Sequence, residues 1–182
     1  MVMTQEHRIR ELLARLARLD ASESWAEELN PAQRAVMDYL ARANRFSRSP
    51  SHVADFLGST RGTVSQTLKA LSAKGYVSEE RSNSDKRVVR FDLTQKGKAV
   101  ASQTRRLIAG IAGLSGTQKT DLETILGQTL KALLAQNGGR PFGLCRNCRH
   151  FSKTDGRPFC HLLAEPLTVP ETDLICHEQE SK

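Results

Sequence analysis

Apolar residues recur at helical spacing through most of the first 137 residues, and then the rhythm stops. Ile9, Leu12, Leu13, Leu16 and Leu19 fall three or four apart, which predicts an amphipathic helix over 5–19. A polar stretch from Asp20 to Glu28 follows and carries the single tryptophan, Trp25. At Asn30-Pro31 a second helix begins, because Asn caps free N–H groups and Pro suits the first helical position. Its stripe of Ala35, Val36, Tyr39, Leu40 and Ala43 runs to about Arg45. Ser49-Pro50 opens a short helix that ends at Leu57-Gly58, where glycine accepts the left-handed conformation. Ser59 or Thr60 caps the next helix, whose Val64, Leu68 and Leu71 face inward, and Gly75 closes it.

Tyr76-Val77 and Val88 to Leu93 are β-type runs on either side of the polar stretch Glu79 to Arg87, which predicts a hairpin with a charged tip. Thr94 caps one further helix carrying Val100, Leu107, Ile108 and Ile111. Gly113 to Gly116 interrupts it, and a last helix carries Leu122, Ile125, Leu126, Leu130, Leu133 and Leu134 until Gly138-Gly139. The Asn137-Gly138-Gly139 stretch reads as a linker, dividing the chain into 1–137 and 138–182. The fold class is therefore mainly α with a small β-hairpin wing, a winged helix-turn-helix with a small Cys-rich C-terminal module.

A short helix, a tight turn and a second helix form a unit that presents its second helix to the major groove of DNA. Here that helix offers Ser59, Thr60, Arg61, Thr63, Ser65, Gln66 and Lys69. The hairpin brings Arg81, Lys86 and Arg87, and a basic wing can enter an adjacent minor groove, whose negative potential attracts arginine. The charge distribution agrees. The net charge is +7, and the stretch from Arg61 to Arg106 alone holds eleven Lys/Arg against four acids. From Arg140 to Lys182 six basic and six acidic residues cancel. Focused positive charge is what a phosphate-contacting surface requires.

No apolar run reaches the length that spans a bilayer, and the first ten residues lack the apolar core of a secretory signal, so a cytoplasmic location and no membrane partner are expected. Phosphate-binding loops, nucleophile elbows and His-Glu-x-x-His patterns are absent, so the chain does not read as an enzyme. An electron-transfer or architectural module is the less favoured reading.

Three stretches carry a family resemblance. Leu29 to Leu40 resembles the second helix of MarR-type regulators. Val53 to Gly58 followed by Val64 to Leu68 is similar to their helix-turn-helix. Gly75-Tyr76-Val77, Ser84-Asp85-Lys86-Arg87 and Leu93-Thr94-Gln95-Lys96-Gly97 resemble their wing and its exit. The resemblance covers about 5–136. It implies a homodimer whose N- and C-terminal helices interlock on double-stranded DNA; two-fold symmetry then predicts a palindromic operator, and a repressor role with a small-molecule effector is a further expectation. It also implies that Asp85 orients the wing and that Arg87 enters the minor groove. The apolar stripes at both ends support the dimer independently, because a small winged core offers too little surface to cover them.

All four cysteines, Cys145, Cys148, Cys160 and Cys176, lie in the last 38 residues in a C-x2-C-x11-C-x15-C pattern. Such clustering favours metal ligation over a disulfide framework, and a C-x-x-C pair grips a single centre from a tight turn. Two ligand chemistries stay open. Apolar neighbours around the two lone cysteines suit an iron–sulfur cluster acting as a redox or iron sensor, and the pattern loosely resembles the cluster loop of high-potential iron–sulfur proteins. A structural zinc site, with regulation left to a small-molecule effector, is the alternative. His150, His161 and His177 each neighbour a cysteine. Because the segment follows the last helix directly, an intact cluster is expected to fold residues 142–177 against the dimer helices, and its oxidation or iron loss to release them.

Overall fold

A computed structural model of the chain describes residues 3–23, 28–81, 89–154 and 156–182. Trp25 and the wing residues Asp85, Lys86 and Arg87 lie outside the described residues. The helices are α1 (Gln5–Ser22), α2 (Pro31–Arg42), α3 (Pro50–Leu57), α4 (Arg61–Ala73), α5 (Gln95–Ala101), α6 (Arg106–Ala112) and α7 (Gly116–Asn137). Between α4 and α5, β1 (Val77–Arg81) and β2 (Val89–Leu93) pair antiparallel, from Val77 opposite Leu93 to Arg81 opposite Val89.

Local chemistry sets most boundaries. Asn30 and Gln33 form a reciprocal capping box at α2, with Pro31 next to the cap. Gly58 ends α3 at φ 59°, a conformation that costs glycine little. Thr60, not Ser59, caps α4 through a bond from the Thr63 N–H at 3.1 Å. The single helix predicted after Thr94 is instead two. Ser102 and Thr104 are poorer helix formers, and Arg105 at the break is held sideways. Its guanidinium reaches Asp20 Oδ1 at 2.9 Å and Asp38 Oδ2 at 2.8 Å, which ties α1 and α2 to the start of α6.

The main core gathers Val36, Met37, Tyr39 and Leu40 of α2, Val53 of α3, Val64, Leu68 and Leu71 of α4, and Phe91 of β2. At the wing exit, Thr94 N–H bonds the Tyr76 carbonyl at 3.0 Å, and α5 approaches so closely that a Cβ on Gly97 would sit 2.1 Å from that same oxygen. Outside the core, neither α1 nor α6 has a buried residue. Leu12 is 63% exposed and Ile125 and Leu130 of α7 are 60% and 56% exposed. No helix among the described residues is long and apolar enough to cross a membrane.

After Gly138, which ends α7 at φ 64°, the chain builds a compact extension. Strands β3 (Gly143–Leu144) and β7 (Ile175–Cys176) pair antiparallel. Between them β4 (Phe151–Thr154), β5 (Arg157–Cys160) and β6 (Glu165–Pro166) form a three-stranded antiparallel sheet. Within one chain the extension packs against the winged unit. Phe142 and Ile175 join the main core, and Ala43 at the end of α2 bridges to Ile175. The reason is geometric. The chain turns back at Gly138-Gly139, where the Gly139 N–H bonds the Leu134 carbonyl at 3.0 Å, and an open apolar site beside Tyr39 and Phe56 accepts Phe142.

Candidate nucleic-acid interface and cysteine centre

The α3–turn–α4 unit is anchored from beneath by Val53, Ala54, Val64, Leu68 and Leu71, all nearly free of solvent. Because apolar positions recur every three or four residues, the intervening ones must point away. Ser59, Thr60, Arg61, Thr63, Gln66 and Lys69 are exposed accordingly, whereas Ser65 is half-buried. Part of this polar face is spent on the helix itself: the Thr60 and Thr63 hydroxyls are 2.8 Å apart at the cap. Arg61, Gln66 and Lys69 remain the long side chains on the exposed surface. Arg81 lies at the end of β1, where its Nε is 2.9 Å from Glu79 Oε1. The other wing residues assigned from sequence, Asp85, Lys86 and Arg87, lie outside the described residues.

In the extension, Cys145 and Cys148 sit on a 3-10 turn (Cys145–Asn147), closed by the Cys148 N–H on the Cys145 carbonyl at 3.0 Å. Cys160 ends β5 and Cys176 ends β7, each placed by its strand pairing. Cys145, Cys148 and Cys176 are buried, and Cys160 is half-buried. Cys145, Cys160 and Cys176 share one apolar cluster with Leu167, Phe46 and Phe151. None of the four is in a disulfide. The Cys145 and Cys176 thiols are hydrogen-bonded, which holds Cys176 below the ordinary thiol range, at about 6, and pushes Cys145 up. Among the described residues, no three Cys, His, Asp or Glu side chains close tightly enough around a point to hold a metal ion as they stand.

Several N–H groups point at sulfur. Asn44 Nδ2 donates to Cys145 Sγ at 3.3 Å, and the Glu180 N–H lies 3.5 Å from Cys148 Sγ. Asn44 and its neighbours were not legible as site residues, since in sequence they read as an ordinary connection between two helices. Arg45 joins them, with Nη1 2.5 Å from Glu171 Oε1 and Nη2 2.8 Å from the Pro166 carbonyl. Of the histidines beside cysteines, His177 is buried and its ring stacks 3.8 Å from that of His52 on α3. Ser152 Oγ lies 2.7 Å from His161 Nε2, and His150 is 3.6 Å from Glu180 Oε1.

A family model described as "MarR family" matches residues 28–88. A search of curated proteins finds no match. Among solved structures, the chain is similar to MepR of S. aureus in a DNA complex, with a TM-score of 0.58 at 18% identity over 72% of this chain and 99% of that one. It is similar to Streptococcus pneumoniae FabT in complex with DNA, with a TM-score of 0.56 at 25% identity over 72% and 99% of the two chains. The reduced form of E. coli MarR gives 0.55 at 22% identity, over 71% and 98%. Residues 28–88 thus match the MarR-family model, and the chain's fold is similar to that of these solved structures.

Proposed function

We propose that the chain is a transcriptional regulator that binds duplex DNA as a homodimer and acts as a repressor by occupying a palindromic operator. The observation that carries this reading is the exposed polar face of α4, offering Arg61, Gln66 and Lys69, on the segment that matches the MarR-family model. The MepR and FabT structures to which the fold is similar are DNA complexes, which supports DNA binding here. The second copy covers the apolar faces of α1, α6 and α7, whose Leu12, Ile108, Ile125 and Leu130 are each more than half exposed in one chain. Two-fold symmetry then sets two half-sites about one helical turn apart. Lys86 and Arg87 of the wing enter the flanking minor grooves, with Asp85 orienting them. A cleft of about 530 Å³ lined by Leu40, Arg48, Glu80, Asp92, Lys98 and Ser102 lies between α2, the wing base and α5, and would receive a small-molecule effector. The test is selection of duplexes from a random pool by purified protein. Enrichment of a palindrome bound two chains per duplex is the expected result. Recovery of no sequence above background at moderate salt overturns the reading.

The four cysteines form, in this reading, a centre for an iron–sulfur cluster that modulates DNA affinity. Their number, the burial of Cys145, Cys148 and Cys176, and the N–H groups aimed at sulfur fit such a group, because hydrogen bonds to sulfur and exclusion of water tune its potential. The thiols still have to draw together to bind it. A structural zinc site is the alternative, favoured by the tight Cys145–Cys148 turn. Anaerobic purification separates them: brown protein with iron and sulfide supports the cluster, and colourless protein with one zinc per chain supports the alternative.

A further inference from the structure

We propose that the corner between α2 and α3 couples the cysteine centre to the helix-turn-helix, with Asn44 and Ser47 as the positioning residues. The proposal rests on the reading of Cys145, Cys148, Cys160 and Cys176 as a metal or cluster site, and adds where its occupancy is felt. It replaces a route through the dimer helices with one through the DNA-reading unit itself.

Asn44 is fully buried, and all its polar groups are committed. Its backbone N–H donates to the Ile175 carbonyl at 2.8 Å, next to Cys176. Its Nδ2 donates to Cys145 Sγ at 3.3 Å, while its Oδ1 accepts from the Phe46 N–H at 3.1 Å. One side chain thus bridges a candidate ligand and the backbone of the corner. Three residues on, Ser47 is 1% exposed, and its Oγ accepts from the His177 N–H at 2.8 Å. The Ser47 carbonyl accepts from the Tyr39 hydroxyl at 2.6 Å, and the Tyr39 ring packs 4.7 Å from Phe56 of α3. His177 in turn stacks on His52 in the first turns of α3. A shift at Cys145 or Cys176 therefore reaches α3 through direct contacts, and α3 leads through Gly58 into α4.

The physical basis is the change in the sulfur atoms. A thiolate bound to a metal is a charged acceptor, whereas a free thiol is a weak one, and hydrogen bonds to charged acceptors are shorter and stronger. Drawing the four sulfurs around one centre also moves the ends of β3 and β7, and with them the Ile175 carbonyl bonded to Asn44 and the His177 N–H bonded to Ser47. Buried polar networks of this kind transmit displacement because each member is held on two sides.

The test compares metal-loaded and empty protein, using the full chain, a selected duplex, and either iron with sulfide or zinc alone as the probe. In the wild-type protein, loading should change duplex affinity at least about fivefold, as coupling between sites commonly does. Ser47→Ala should keep the metal content and the helical circular dichroism but bring the loaded-to-empty affinity ratio towards one. Asn44→Ala should lower metal affinity about tenfold, the usual cost of losing a hydrogen bond to a ligand. Where Asn44→Ala does not fold, amide hydrogen exchange at residues 43–58 of wild-type protein gives a second readout, and protection there should rise on loading. Wild-type protein that binds neither probe ends the metal reading itself. Metal bound at full stoichiometry with an unchanged affinity ratio and unchanged exchange at 43–58 leaves the metal reading intact and overturns the coupling, as does a Ser47→Ala protein that keeps the wild-type ratio.

Discussion

Asn44 and Cys145 lie 101 residues apart in the chain and are joined by a hydrogen bond from Nδ2 to Sγ of 3.3 Å. The bond spans the junction between the winged unit and its extension, so the two do not behave as beads on a linker. Phe142 completes the same junction, edge-on to both Tyr39 and Phe56. Phe142→Ala should destabilise the winged unit by about 2–3 kcal/mol, somewhat under the cost for a fully buried phenylalanine. Chemical denaturation followed through helix content would read it. An unchanged midpoint would show that the extension adds nothing to the fold it rests on.

The wing exit depends on a missing side chain. A methyl group on Gly97 would meet the Tyr76 carbonyl at 2.1 Å, and backbone cannot swing aside as a side-chain tip can. Gly97→Ala should cost about 1–3 kcal/mol, the range for forced overpacking, although alanine is intrinsically the better helix former. A lower Tm is the expected outcome, and a raised one would mean that α5 can slide from β2 without loss.

On α4, Arg61 and Gln66 are exposed and Val64 is buried, which separates recognition from folding. Arg61→Ala and Gln66→Ala should each weaken binding to the selected duplex by about 1–3 kcal/mol and leave the Tm unchanged. Val64→Ala should do the reverse, lowering the Tm with less effect on the affinity of the protein that remains folded.

The apolar face of α7 gives a prediction about assembly. Leu130 is 56% exposed in one chain, and a glutamate there would be harmless if it faced water. If it faces a second copy, Leu130→Glu should give monomers or insoluble protein in sedimentation experiments. A soluble dimer of wild-type stability would remove α7 from the interface.

His52 predicts a pH dependence. Burial, reinforced by the facing His177, lowers its pKa from 6.5 to about 4, against the weaker pull of Glu178 and Asp55. The folded protein therefore favours neutral His52, and unfolding takes up a proton between these two values. Stability from this group is fully present above about pH 6.5 and is lost as pH falls towards 4. A His52→Gln variant should show a shallower decline across that window, measured as Tm against pH beside the wild-type protein.

Much of the winged unit follows from local chemistry. Asn30-Pro31, Ser49-Pro50, Thr60 and Thr94 each begin a helix because their side chains accept the free N–H groups, and these sites were readable one at a time. The exposed face of α4 was equally legible, since periodicity alone says which residues turn away from a core. The break between α5 and α6 was not, because the pull on Arg105 comes from Asp20 and Asp38, far away in the chain. The cysteine pattern named a candidate ligand set but not its seat. Only the tertiary structure decided that the extension rests on the α2–α3 corner, and it did so by contacts without any local signature. Asn44, Ser47 and His52 are ordinary polar residues until the chain has turned back at Gly138 and placed Cys145, the His177 N–H and its ring against them. Hydrogen bonds and ring packing across more than 100 residues depend on where the backbone goes, which periodicity and capping do not encode.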